Sequence, residues 1–270
     1  MTAKSDVATS YEATQYSPKG LMGVLTPQAN TTAEMELSML LPQGFGMATA
    51  RVVSTKSGMS DRLVDYVDQQ NAALDQFANA PISAAIFACT GAAYLVDPDA
   101  EQAKRAEIEA ARGYPFVTAA DAVADALKTL GVSRVGLVSP YGDDLHEKSL
   151  TYWAKRNLVP IAIHRIAGKS AAFHPIYSTP ASQAASGYRD MAQNDVDCVL
   201  FLGTGLPTLP VIAEHGDGAL PILSPNLCLM WRAWTAVTGQ ELTSDGLKAW
   251  LGSNAHWVPR FQQWTQGSEA

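Results

Sequence analysis

The chain has 270 residues, of which 47% are hydrophobic and 17% charged; that is enough apolar content for one large core or two medium ones, so a globular protein is expected. A net charge of −7 without clustered Lys and Arg excludes the phosphate footprint of a general nucleic-acid binder, and a small anionic ligand would need local donors instead of a favourable overall field. Three widely spaced cysteines (Cys89, Cys198, Cys228) form neither a disulfide framework nor a zinc pattern, which points to a reducing compartment.

In chain order, residues 1–19 are rich in Ser and Thr and contain no apolar stretch of signal-peptide type. They read as a disordered leader on a cytoplasmic protein, and no later segment has the composition of a membrane span. Apolar runs of strand length follow, separated by amphipathic stretches of helix length. The first four are "GLMGVLT", "MATARVV", "AAIFACT" and "YPFVT"; the next four are "RVGLVS", "VPIAIHRI", "CVLFLGT" and "LPILS". Each run ends in Gly, Pro, Ser or Thr ahead of a helical pattern, as in "AADAVADALKTLG". That rhythm is the mark of βα units and parallel sheets.

The second set repeats the first. "GVLTPQANTTAEMEL" aligns with "GLVSPYGDDLHEKSL" at a constant offset, placing Gly23 against Gly136, Pro27 against Pro140, Glu34 against Glu147 and Leu37 against Leu150. "IFACTG" aligns with "LFLGTG", and "PFVTAADAVADALKTLG" resembles "PILSPNLCLMWRAWTAVTG". Three blocks in one order predict a duplication. The expected fold is α/β, with two pseudo-symmetric lobes, each a four-stranded largely parallel sheet flanked by helices. Residues 20–125 would form the first lobe and 126–270 the second with the C-terminal helices, a segment able to pack back on the first lobe. Ligands of open parallel sheets bind at the carboxyl ends of strands, which puts the site in the cleft between the lobes.

Those strand ends carry "TPQANTT", "CTGA", "SPYGDD" and "GTGL". Cys89 closes a strand at the start of a helix, where unpaired N–H groups and the helix dipole stabilise a thiolate or bind an oxyanion; it reads as a nucleophile or proton donor, or else as a small inert buried thiol. Cys198 and Cys228 read as core. Asn30, Thr31 and Thr32 read as a helix cap with Glu34 in the first turn, and alternatively as carboxylate binders. Tyr141 offers either a phenol donor or a loop-packing aromatic. Tyr94, Leu206 and Pro207 are candidates for pocket wall or core. His146, His164, His174, His215 and His256 lack metal-ligand spacing, and no phosphate or dinucleotide loop is present, so neither metal nor cofactor is expected.

With these motifs the chain resembles the aspartate/glutamate racemase superfamily, in its maleate isomerase and arylmalonate decarboxylase branch, from Gly20 to about Gly252. The similar segments are "GVLTPQANTTAEMEL", "ACTGA", "VSPYGDDLHEK" and "SPNLCLMWRAW". The resemblance implies cofactor-independent chemistry on a small carboxylate held between two lobes. Asn30 and Tyr141 would bind a carboxylate, N–H groups around Thr90–Gly91 and Thr204–Gly205 would hold the oxyanion, and Cys89 would be the first catalytic cysteine. The family's second cysteine falls at Gly203, whose missing side chain is expected to leave space. Two-base racemisation needs an acid or base on each face, so one-sided chemistry is expected. The isomerase pattern also places an Asn where this chain has His146, and another around Ala172. Three functions follow: a decarboxylase protonating an enediolate from Cys89, a cis–trans isomerase with Cys89 as nucleophile, or a non-catalytic carboxylate binder. The expected partner is a small carboxylate substrate, without nucleic acid or membrane, and a homo-oligomer is allowed.

Overall fold

The computed structural model describes residues 14–166 and 175–266. The first half runs β1 (Gly20–Pro27), α1 (Ala33–Leu40), β2 (Phe45–Val52), α2 (Met59–Asp68), α3 (Gln70–Asp75), β3 (Ala84–Phe87), α4 (Thr90–Ala93), α5 (Pro98–Arg112), β4 (Phe116–Thr118) and α6 (Ala119–Leu130). The second runs β5 (Val135–Ser139), α7 (Asp143–Lys155), β6 (Ala162–Arg165), a 3₁₀ turn at Pro175–Ser178, α8 (Ala181–Met191), β7 (Cys198–Phe201), α9 (Leu209–His215), β8 (Ile222–Leu223), α10 (Pro225–Thr238), α11 (Ser244–Lys248) and α12 (Val258–Gln266).

Two four-stranded sheets result, ordered β2-β1-β3-β4 and β6-β5-β7-β8, and every strand pairing is parallel. The same order in both sheets is the duplication expressed as topology. The inner strands are apolar on both faces because helices cover both: β3 (AAIF), β5 (VGLVS) and β7 (CVLF) are buried throughout. In each sheet the chain passes from one inner strand outward to an edge and returns to the other inner strand. The loops after β1, β3, β5 and β7 therefore leave the sheets where strand order reverses.

The repeat extends to the caps. Thr118 accepts a hydrogen bond from the Asp121 N–H at the start of α6, and Ser224 accepts one from the Leu227 N–H at the start of α10. These equivalent helices pack on each other, and α10 also lies against β3 and β4, so the last long helix of the chain covers the first sheet. One hydrophobic core runs from Met22, Val24 and Ile86 of the first sheet to Leu137, Val199 and Phe201 of the second, and a smaller one in the first half gathers Leu25, Tyr66, Phe87 and Phe116. The two halves thus share one interior, which holds their strand ends in fixed relation.

Of the segment assigned to a leader, residues 1–13 lie outside the described residues; from Thr14 the backbone turns, and the Lys19 N–H donates to Gly44 O. The position around Ala172 and His174 also lie outside them. Among the described residues, no helix is long and apolar enough to cross a membrane.

Candidate active site

The loop after β3 turns at Cys89, whose extended backbone (φ −150°, ψ 94°) makes it the residue before the first turn of α4. Its thiol points toward the Gly91 and Ala92 N–H groups, which pull the pKa down, but burial outweighs them and pushes the thiol from 9.0 up to about 12. Cys89 is 5% exposed, and that remaining exposure opens on a cavity of about 840 Å³. Cys198 and Cys228 are fully buried within the core.

The loop after β7 lies against this turn. Thr204 Oγ1 donates to Ala88 O at 2.9 Å and accepts from Asn30 Nδ2 at 3.1 Å, while Thr32 Oγ1 donates to Gly205 O at 2.9 Å. Behind the loop, Asn226 Nδ2 bridges Thr204 O at 3.0 Å and Glu36 Oε2 at 2.7 Å. The other Glu36 oxygen accepts from the N–H groups of Thr208 at 2.6 Å and Leu209 at 3.0 Å. Glu36 stands on the buried face of α1, and burial raises its pKa against the pull of these donors. A polar clasp of Asn30, Glu36, Thr204, Thr208 and Asn226 thus joins the halves inside the core and sets the height of the Gly203–Gly205 loop relative to Cys89.

Loops after β5 and β6 complete the cavity. Tyr141 OH and Thr90 Oγ1 are 2.9 Å apart, and burial holds the Tyr141 phenol well above its usual range, hence neutral. Arg165 donates to Tyr141 O at 2.8 Å and to Asp143 Oδ1 at 3.0 Å, and it is the sole Arg or Lys among the described residues that line the cavity. Asp143 and Asp144 line it as well, Asp144 accepting from Lys148 Nζ at 3.0 Å, and the rest of the wall is largely apolar: Pro27, Met59, Leu63, Leu145 and Ile166, with Pro140, Pro175, Ile176 and Tyr177 toward the second loop. One end therefore offers backbone amides and hydroxyls beside a thiol, and the other, among the described residues, an apolar recess edged by Arg165, Asp143 and Asp144.

Of the residues expected from sequence, Cys89, Thr90, Gly91, Tyr141, Gly203, Thr204 and Gly205 line this one cavity. Asn30 does not. Its Oδ1 accepts from the N–H groups of Thr32 and Ala33 and its Nδ2 serves Thr204, so it caps α1 and braces the second loop instead of presenting an amide to a ligand. The cap of α1 thus comes from Asn30, since the Thr32 side chain makes no capping bond. Nor do Tyr94, Leu206 and Pro207 reach the cavity; Tyr94 is buried against the rings of Tyr141, Tyr152 and Trp153. His146 bonds to Ser139 Oγ at 2.9 Å through Nδ1 and is buried.

The expectation of open space at Gly203 is corrected. Its φ is +85°, which disfavours any side chain, and a Cβ there would lie 2.5 Å from Ile176 Cδ1. Sequence reading missed Ile176, Tyr177, Arg165 and the Met59–Leu63 wall. Arg165 alone had a legible signal, as the cation closing the strand "VPIAIHRI". Glu36 had one too, as a charge among Ala33, Leu37 and Leu40 on the apolar face of a helix.

The family model of arylmalonate decarboxylase matches residues 22–248. The chain is 31% identical to the arylmalonate decarboxylase of Bordetella bronchiseptica over 126 residues, 46% of this chain and 52% of that enzyme, so the aligned stretch spans about half of that relative. Among solved structures, the maleate isomerase of Pseudomonas putida superposes with a TM-score of 0.73 at 20% identity, covering 84% of this chain and 99% of that one. The Tris-bound maleate cis–trans isomerase of Nocardia farcinica gives 0.71 at 19% identity, covering 90% and 99%. A glycine-to-cysteine variant of arylmalonate decarboxylase in its sulfate-associated form gives 0.62 at 22% identity, covering 82% and 94%. The architecture of two four-stranded parallel sheets flanked by helices is the fold of these proteins.

Proposed function

The chain belongs to the arylmalonate decarboxylase family, and from that premise we propose that it is a cofactor-independent decarboxylase of a substituted malonate-like acid, with Cys89 as its proton donor. The observation that carries this reading is placement: of the three cysteines Cys89 alone lines the cavity, and a glycine, Gly203, lines it on the second loop. Burial pushes the Cys89 thiol up to about 12, which favours its neutral form. A neutral thiol is a poor nucleophile and a competent acid toward the far more basic carbon of an enediolate.

The reaction then runs in two steps. The bond from the α-carbon to one carboxylate breaks, CO2 leaves, and the electron pair remains as an enediolate. N–H groups of the Thr90–Gly91 and Thr204–Gly205 turns, with the Tyr141 phenol, stabilise its oxygens. Cys89 Sγ delivers its proton to the α-carbon and is reprotonated from solvent. The carboxylate that departs sits against the apolar wall, where removal from water favours loss of charge as CO2, and Arg165 holds the approach from the mouth.

Isomerisation by addition of a Cys89 thiolate to an alkene would need an ionised sulfur and a second proton donor. The raised pKa and the glycine at 203 both count against it. The test is a panel of substituted malonates and maleate, assayed for CO2 release and for alkene isomerisation. CO2 release lost by about 10²–10⁴-fold in Cys89→Ala and kept in Cys198→Ala and Cys228→Ala is the expected result. Isomerisation without CO2 release would favour the second reading, and binding without turnover would make the protein a carboxylate binder.

A further inference from the structure

Both glycines of the Gly203-Thr204-Gly205 turn are overlaid by one short segment. A Cβ on Gly203 would meet Ile176 Cδ1 at 2.5 Å, Tyr141 Oη at 3.1 Å and Pro140 Cγ at 3.3 Å. A Cβ on Gly205 would meet the Tyr177 ring at 2.5 Å (Cε1) and 2.6 Å (Cδ1), and Ile176 Cγ2 at 3.3 Å. Contacts below 3 Å mean that a side chain at either position would force the Ile176 methyl or the Tyr177 ring to shift, so the side chains of the 3₁₀ turn Pro175–Ser178 take their present places against two glycines. Thr204 between them cannot move away to make room, since its hydroxyl is fixed to Ala88 O and Asn30 Nδ2 and its carbonyl to Asn226 Nδ2. The turn and the loop are therefore fitted to each other.

We propose that Ile176, seated beside the Tyr177 ring, is a specificity-determining residue, filling with hydrocarbon the position from which a second acid–base side chain at 203 would reach the substrate and so confining proton delivery to the Cys89 side. The inference rests on the reading of Cys89 as proton donor. The polar atom nearest the filled position, Tyr141 Oη, is within 2.9 Å of Thr90 Oγ1 and so is held toward the first loop. The missing cysteine is on this account one half of a paired change: a glycine on the loop and a branched apolar residue on the facing turn. Gly203→Cys alone would bring its Cβ against Ile176 Cδ1.

A stability cycle tests the steric half without reference to catalysis. Melting temperatures are measured for the natural protein, Gly203→Ala, Ile176→Ala and the double variant. The strain of a positive φ is common to both backgrounds, but the clash is not. Gly203→Ala should thus lower the melting temperature less in the Ile176→Ala background, by several degrees; equal losses in the two backgrounds would overturn the proposed packing. The functional half is read from product chirality on a prochiral substituted malonate. The natural protein should give mainly one enantiomer, and Ile176→Ala should cut the enantiomer ratio by about tenfold, the scale on which a pocket discriminates by one or two carbon atoms. Ile176→Ala/Gly203→Cys should in addition exchange the α-hydrogen of the product with deuterated water. An unchanged ratio in an Ile176→Ala enzyme that still releases CO2 would refute the assignment of the second face. No CO2 release by the natural protein would instead overturn the decarboxylase reading, and the stereochemical half with it.

Discussion

The ionisation state of Cys89 separates proton donation from nucleophilic addition, and its size can be worked out. Burial moves the thiol from 9.0 to about 12, against two N–H groups that pull the other way. Three pH units correspond to about 4 kcal/mol favouring the neutral form. At pH 8 a thiol of pKa 9 is ionised in roughly one molecule in ten, whereas Cys89 would be ionised in about one in 10⁴. The measurement is alkylation of Cys89 by iodoacetamide against pH, followed by mass spectrometry of its peptide, with Cys89→Ala as the blank for Cys198 and Cys228. The second-order rate should stay far below that of a free thiol at pH 7–9 and keep rising beyond pH 10 without a plateau. A plateau below about pH 8 would mean a stabilised thiolate. That outcome would sink the proton-donor assignment and turn the chemistry toward addition.

Further consequences concern stability and binding. Folded-state pKa values of Cys89 and Cys198 are both raised to about 12, so the stability they contribute is complete below the unfolded thiol pKa of about 8.5 and is lost as pH rises toward 12. The melting temperature should fall from about pH 8.5 upward, less steeply in Cys89→Ala; a flat profile to pH 10 would contradict it. Glu36→Gln puts an amide where Asn226 Nδ2 now donates to a carboxylate at 2.7 Å, and it should cost about 1.5–3 kcal/mol in denaturant unfolding together with lower kcat, because Asn226 also holds Thr204 O. A destabilised variant with unaltered kcat would make the clasp purely structural. Arg165→Gln should raise KM several-fold for a dicarboxylate while kcat changes little, and an equal fall in kcat and kcat/KM would instead place Arg165 in the transition state.

Local pattern determined a good part of this protein without any structure. Eight apolar runs separated by amphipathic helices specify eight strands, the repeat of "GVLTPQANTTAEMEL" and "IFACTG" specifies two like sheets, and the rule that ligands gather at strand carboxyl ends picks out Cys89, Tyr141 and Gly203–Gly205 as loops on one rim. Periodicity and strand-end position are properties of contiguous residues, which is why they can be read in one dimension. What fills the space between loops is not such a property. Asn30 turns out to brace Thr204, 174 positions away, its amide donating to that hydroxyl at 3.1 Å. Glu36 meets Asn226 across 190 positions, and Ile176 comes to lie over Gly203 on a different loop. Such contacts follow from close packing, in which each side chain takes the volume its neighbours leave. Whether the glycine at 203 is an opening or a seat for another residue was therefore decided by tertiary structure alone.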